Sequence, residues 1–261
     1  MQRIAIAPPQ IHDNYIALTP EQCHYLTRVI RLPNGAQFQA IDGTGKLYLA
    51  ELEIDRSQQH SSSGNARIIS TFNSELDPIA NRELPPTINL ICALPKGNNF
   101  DDIVRACTEL GVTTIYPAIS DRTLLVPSPQ KLQRWRKIAQ EAAEQSERLT
   151  IPTIEEPQTL QTIFSQLSAS NANRYWCEAR GDRPHLLECL QSTTTPITTQ
   201  ITIAIGPEGG WTPDELDRAI EYDFQLVSLG RQILRTITAP IVALSIVSAA
   251  TCTNTRPQVL I

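Results

Sequence analysis

The stretch Gly206-Pro207-Glu208-Gly209-Gly210 cuts off an apolar, β-branched run, ITIAI, and is followed almost at once by a helix start, Thr212-Pro213-Asp214-Glu215. Glycines in a strand-to-helix turn let main-chain amides and carbonyls approach a ligand that a side chain would hold away. Two other segments end apolar runs in a similar way, ALPKG at 93–97 and SLGRQILR at 228–235. Ligands of open α/β sheets sit in crevices beyond the carboxyl ends of strands, so these three turns define a candidate site. The phosphate-cradling patterns, Walker spacing ending in Gly-Lys-Ser/Thr and G-x-G-x-x-G, do not occur. A ligand with a purine and a ribose but no phosphates suits main-chain recognition better. The same glycines also suit a tight turn that binds nothing, and residue types alone leave both readings open.

The elements that must carry these turns follow an alternating rhythm from residue 88 onward. INLICAL (88–94) is a continuous apolar run of the kind buried on both faces of a parallel sheet, and FDDIVRACTEL follows as a helix closed by Gly111. TTIYPAI (113–119), RYWCEA, QITIAIG and FQLVSLG read as further strands. SPQKLQRWRKIAQEAAEQSERL (128–149) is a long amphipathic helix, with Leu132, Trp135, Ile138, Ala139 and Ala142 on one side. Thr212 and Glu215 form a capping box with proline at the first helical position. TAPIVALSIVSAATC (238–252) is apolar nearly all round, so it is wholly buried or half-buried with the rest covered by a partner subunit.

Residues 1–73 are different in kind. Short alternating runs at 3–7, 35–54 and 66–71 are broken by turn signals, with Asp42-Gly43-Thr44-Gly45 as a hairpin loop. EQCHYLTRVIRL (21–32) places Cys23, Leu26, Val29 and Ile30 on one helical face, and His24 is assigned to packing. Residues 74–87 contain three prolines and no periodicity, which marks a linker between domains at 1–73 and 88–261.

Composition bounds the function. With 41% hydrophobic and 19% charged residues the chain is an ordinary globular one. No apolar run reaches the roughly 18 residues of a membrane span, and the N-terminal MQRIAIAPPQIHDN has no signal-peptide pattern, so a cytoplasmic location and no membrane partner are expected. The 6 cysteines never form C-x-x-C and mostly lie on apolar segments, which reads as buried thiols. His185 and Cys189 could share a helix face, but with no second pair nearby no metal site is expected. The net charge of −5 speaks against nucleic acid as a whole-surface effect. Basic patches must be local, and Arg28 with Arg31, and the run Lys131, Arg134, Arg136, Lys137, are the candidates for phosphate contacts. A solvated basic helix face is the alternative for that run.

Taken in order, "HYLTRVIRL", "DGTGKLYLAEL", "ALPKG", "TELGVTTIYPAISDRT", "RWRKIAQEAAEQS", "IGPEGG" and "ILRTITA" resemble the RsmE family of ribosomal RNA methyltransferases, within the SPOUT superfamily. The resemblance covers nearly the whole chain. It implies a small PUA-like β-barrel at 1–73 and a trefoil-knotted α/β domain at 88–261. It implies a homodimer, S-adenosylmethionine as methyl donor, and N3 of a uridine in small-subunit rRNA, free or in the assembled 30S subunit, as acceptor. Carried over by position, Leu94 and Pro95 edge the cofactor pocket, and Gly206, Glu208, Gly209 and Gly210 form its middle loop. Leu229, Gly230, Ile233 and Leu234 form the last, knotted loop. Uridine N3 must lose its proton before attack, and a fixed guanidinium would stabilise the charge spread over O2 and O4. Arg235 takes that role, with Thr236 as an orienting hydroxyl. A structural ion pair across the dimer is the alternative for Arg235. Glu208 is a candidate proton acceptor, a helix cap or a ribose ligand.

Three departures bear on the target side. The family pattern Leu-Gly-Pro-Arg-Ile-Leu-Arg-Thr-Glu-Thr-Ala has Arg231, Gln232 and Ile237 here in place of its Pro, Arg and Glu. Ala106 stands where lysine is common, and Leu149-Thr150 where Asn-Arg is common. Two competing functions remain: a catalytically impaired RNA-binding or ribosome-assembly homologue, and a small-molecule nucleotide enzyme of Rossmann type.

Overall fold

The structure is a computed structural model that describes residues 1–54, 64–73, 86–97, 99–123, 126–167, 173–192 and 200–252. Most of the linker expected at 74–87 lies outside the described residues. The chain forms two compact units. The first comprises the described residues up to 73 together with 143–151, and the second comprises 86–142 and 152–252.

In the first unit the strands are β1 (Arg3–Ala5), β2 (Ile11–His12), β3 (Tyr15–Leu18), β4 (Gln37–Ile41), β5 (Lys46–Glu53) and β6 (Gly64–Asn73), with helix α1 at Pro20–His24. They make one sheet in the order β1-β4-β5-β6-β3-β2, parallel at β1–β4 and antiparallel elsewhere. Alternation along β5 sends Tyr48, Ala50 and Leu52 into a core with Ile16, Leu26 and Phe38. The Asp42–Gly45 hairpin is held by Asp42 Oδ1, which accepts the amides of Thr44 at 2.8 Å and Lys46 at 3.2 Å.

The helix after Thr19 departs from the expected single face. Beyond His24 it continues as a π-helical turn, Tyr25–Val29, with the Ile30 amide donating to Tyr25 O at 2.9 Å. The wider turn rotates the residues along it relative to an α-helix, so Leu26 is buried while Val29 is 58% exposed. His24 is exposed rather than packed. Residues 143–151 lie inside the 88–261 span yet pack with this unit. Glu144 Oε1 accepts the Ala5 amide at 2.7 Å, and Leu149 joins Ala5 and Ile41 in a small apolar cluster.

The second unit contains β7 (Thr87–Ala93), α2 (Phe100–Glu109), β8 (Thr114–Ile119), α3 (Pro129–Gln145, of which 129–142 belong to this unit), β9 (Thr153–Ile154), β10 (Gln158–Thr159), α4 (Leu160–Gln166), β11 (Asn173–Cys177), α5 (Leu186–Ser192), β12 (Gln200–Ile205), α6 (Pro213–Glu221), β13 (Gln225–Val227) and α7 (Thr238–Cys252). Its sheet is wholly parallel, in the order β10-β8-β7-β12-β11-β13, with β9 also on β8. β7 and β12 pair in the centre and are buried along almost their whole length, which is why both read as unbroken apolar runs. The turns after β7, β8, β11, β12 and β13 all leave carboxyl ends of strands. Helix α7 is of the half-buried kind: Ala243, Leu244 and Val247 are fully buried, while Ile241, Val242 and Ile246 are half-buried.

Candidate active site

A cleft of about 820 Å³ opens at this carboxyl edge, within the usual size of a small-molecule site. Its walls are the loop after β12, the loop after β13 and the loop after β11. Of the residues singled out from sequence, it brings together Gly206, Glu208, Gly209, Gly210, Leu229, Gly230, Ile233, Leu234, Arg235 and Thr236. Leu94 and Pro95 do not line it. Leu94 is buried, and its amide extends the sheet ladder to Ala118 O at 3.0 Å. The first loop reaches the cleft at Asn99 instead, and its Lys96 amide donates to Glu208 Oε1 at 3.1 Å. Glu208 therefore ties two loops together, and its charge, after burial, helps push the Cys92 thiol up to about 12.

The three glycines of the β12 loop each have an intramolecular reason. A Cβ on Gly206 would come within 3.0 Å of the Trp211 indole, and one on Gly209 within 3.0 Å of Arg122 Cδ. Gly210 has φ +75°, the left-handed region, and its amide closes a turn onto Pro207 O at 2.9 Å. Trp211 in turn donates its Nε1–H to Cys177 O at 3.1 Å, which fixes the β12 loop against the end of β11. Cys177 is partly exposed as a residue, but burial around its sulfur raises the thiol pKa, so it stays neutral.

The β13 loop is held at its two ends. Ser228 Oγ accepts the Gly230 amide at 3.0 Å, the Ser228 amide donates to Pro184 O at 2.8 Å, and Arg235 O accepts the amides of Thr238 and Ala239 at the start of α7. Between these anchors, none of the amides of residues 231–237 donates to an acceptor among the described residues. Folded chains pair nearly all their main-chain polar groups unless water or a ligand takes them. Arg231, Gln232, Ile233 and Arg235 are exposed, so water or a ligand in the cleft can take these amides. Arg235 is exposed on this wall and pairs with no carboxylate among the described residues, while Thr236 is buried at 6% exposure. Gln232 and Ile237, two of the departures from the family pattern, also face the cleft.

Residue types alone do not reveal two contributors. Arg122, on the turn after β8, donates to the carbonyls of Gly209 and Gly210, and the segment Glu178–Arg180 after β11 forms the third wall. A cation whose partners are backbone carbonyls distant in sequence leaves no local signal.

The basic residues divide sharply. Arg28 and Arg31 are exposed, Arg31 with φ +62°. On α3, Arg134 pairs with Asp101 at 2.8 Å, Arg136 donates twice to Ile154 O, and Lys131 reaches Gly97 O at 3.4 Å. Asp101 also accepts Trp135 Nε1–H at 2.9 Å, so this helix face is a bonded one, with Lys137 exposed beside it. Among the described residues no group of His, Cys, Asp and Glu could hold a metal, and no helix is long and apolar enough to cross a membrane.

Comparison with known proteins matches residues 82–248 to the RNA methyltransferase domain and residues 18–58 to the RNA methyltransferase PUA domain. The ribosomal RNA small subunit methyltransferase E of Synechocystis sp. is 41% identical over 247 residues, covering 95% of this chain and 77% of the relative. Its namesake in Bacillus subtilis is 30% identical over 260 residues, covering 96% and 97%. The crystal structure of the Neisseria gonorrhoeae enzyme of that name, bound to S-adenosyl methionine, superposes with a TM-score of 0.79 at 28% identity, over 95% of this chain and 97% of that one. The parallel-sheet unit with its loop-walled cleft, the small mixed-sheet unit before it and these matches across nearly the full length agree, and the chain belongs to the ribosomal RNA small subunit methyltransferase E family.

Proposed function

We propose that the chain methylates N3 of a uridine in small-subunit ribosomal RNA, with S-adenosylmethionine as donor, and works as a homodimer with a knotted C-terminal domain. The observation that carries this reading is one cleft lined both by the glycine loop, Gly206–Gly210, and by residues 232–237, whose amides have no acceptor among the described residues. Such walls suit an adenosyl group, whose recognition needs directed donors and acceptors but no phosphate cradle. Bound there, S-adenosylmethionine supplies an electrophilic sulfonium methyl. The chain supplies the rest. Leu229, Gly230, Ile233 and Leu234 with Gly206, Gly209 and Gly210 hold the donor, and Arg235 carries the negative charge that develops on the uracil oxygens. Thr236 orients it. The half-buried apolar side of α7 supports a second copy as its cover.

Arg28, Arg31 and Lys137 are the phosphate contacts in this reading, because Lys131, Arg134 and Arg136 already serve the fold. A second reading, an RNA-binding homologue without turnover, is favoured by Ile237, which faces the cleft where the family carries glutamate. Mass spectrometry of small-subunit rRNA from cells lacking this gene decides between them. Loss of one 3-methyluridine that the wild-type gene restores supports the transferase; an unchanged methylation map rejects it.

A further inference from the structure

The capping box of α6 does more than cap. Capping requires only that Glu215 reach back to the Thr212 amide, which Oε2 does at 2.7 Å. Its other oxygen, Oε1, accepts the Asp121 amide at 2.9 Å, far away in sequence on the turn after β8. Thr212 Oγ1 closes the link by donating to Asp121 Oδ2 at 2.9 Å. Glu215 is 1% exposed, so both of its oxygens work away from water. The turn itself is closed by the Ser120 amide on Thr123 Oγ1 and the Thr123 amide on Ser120 O, both at 2.9 Å. From this immobilised turn Arg122 extends to the carbonyls of Gly209 and Gly210, in the space that a Cβ on Gly209 would fill.

We infer that Arg122, held in place by Glu215 through Asp121, is a positioning residue that pre-sets the glycine loop for the cofactor. The carbonyl of Gly209 and the amide of Gly210 share one rigid peptide plane. Arg122 pins that plane at its oxygen and Pro207 O pins it at its nitrogen, so it cannot rotate. The neighbouring amides of Glu208 and Gly209, which have no acceptor among the described residues, are thereby aimed before any ligand arrives. A loop ordered in advance loses less entropy on binding, and the benefit appears as affinity. Lysine cannot replace the planar, forked guanidinium in full.

This inference rests on the cofactor reading of the cleft, and two measurements separate them. Hydrogen exchange on the ligand-free protein should show the Gly210 amide, bonded to Pro207 O, exchanging about tenfold faster in Arg122→Ala than in wild type, with the rest of the chain unchanged. Equal exchange overturns the inference whether or not the cofactor binds. Calorimetry and kinetics with S-adenosylmethionine should give a Kd and KM about tenfold higher in Arg122→Ala, partly recovered in Arg122→Lys, with kcat at saturation within about threefold. A lowered kcat at unchanged KM would overturn it. A wild-type protein that does not bind the cofactor removes the cofactor reading and leaves the exchange result to judge the brace. Should Arg122→Ala fail to fold, Glu215→Gln serves instead, since its amide turns a donor toward one of two backbone amides. It must then reproduce the exchange increase at the Gly210 amide.

Discussion

The indole of Trp211 lies where a side chain on residue 206 would have to begin. A Cβ there would meet the ring at 3.0 Å, and the ring is not free to retreat, because its Nε1–H is bonded to Cys177 O and its face packs against Trp176 with centroids 4.2 Å apart. Strand end, glycine and aromatic pair are one packed unit beneath the cleft.

Gly206→Ala should therefore be an overpacking mutation, costing about 1–3 kcal/mol of stability. Denaturant unfolding followed by tryptophan fluorescence measures it. The native emission should also shift, since the displaced ring is the reporter, and cofactor affinity should fall in the same variant. An alanine tolerated without either change would mean that the loop has more room than its contacts indicate.

Arg235→Ala should reduce kcat by about a hundredfold or more while leaving cofactor affinity within a few-fold, because the guanidinium is assigned to charge that exists only in the transition state. Single-turnover methyl transfer and calorimetry on the same preparation supply the two numbers. Parallel losses would make Arg235 a part of the pocket wall, consistent with its carbonyl already starting α7.

Much of the scaffold is legible in the sequence because its signals are local. The apolar runs of β7 and β12 follow from burial on both faces of a parallel sheet, and the Thr212–Glu215 box forms as its residue types require. The hidden parts have partners remote in sequence or no partner type at all. Arg122 acts on carbonyls, Glu215 reaches the Asp121 amide, and Lys96 contributes its backbone rather than its side chain. The π-helical turn at Tyr25–Val29 is invisible to periodicity, because its sequence fits an α-helix and only its tertiary setting adds the extra residue per turn. The glycines of the β12 loop suggest room for a ligand; their first neighbours are Trp211 and Arg122.

The buried thiols set an alkaline limit. Burial, then the charge of Glu208, raises the Cys92 thiol from 9.0 to about 12, and burial raises Cys177 as well. Unfolded thiols ionise near pH 9 while these stay protonated in the native state, so the unfolded chain holds fewer protons above that pH. Their contribution is complete below pH 9 and is lost as pH climbs toward 12. Unfolding free energy measured from pH 8 to 11 should fall with pH, and Cys92→Ala should reduce that slope by about one proton. A slope unaffected by the substitution would show that other groups control alkaline unfolding.

The cations of the two units should sort by what their removal changes. Removing a cation that neutralises one RNA phosphate lowers the slope of log affinity against log salt by about 0.7–0.9, whereas removing a structural cation leaves the slope alone and lowers stability. Arg28→Ala, Arg31→Ala and Lys137→Ala belong to the first class, their side chains being exposed. Arg136→Ala belongs to the second, since two guanidinium nitrogens hold Ile154 O at 3.1–3.2 Å and the substitution leaves that carbonyl without them. Filter binding of an rRNA fragment across a salt series, set beside thermal unfolding of the same four variants, distinguishes the classes. An Arg136 variant that kept its stability but lost salt dependence would transfer that residue to the RNA-binding face, and the bond to Ile154 O would then be incidental to the fold.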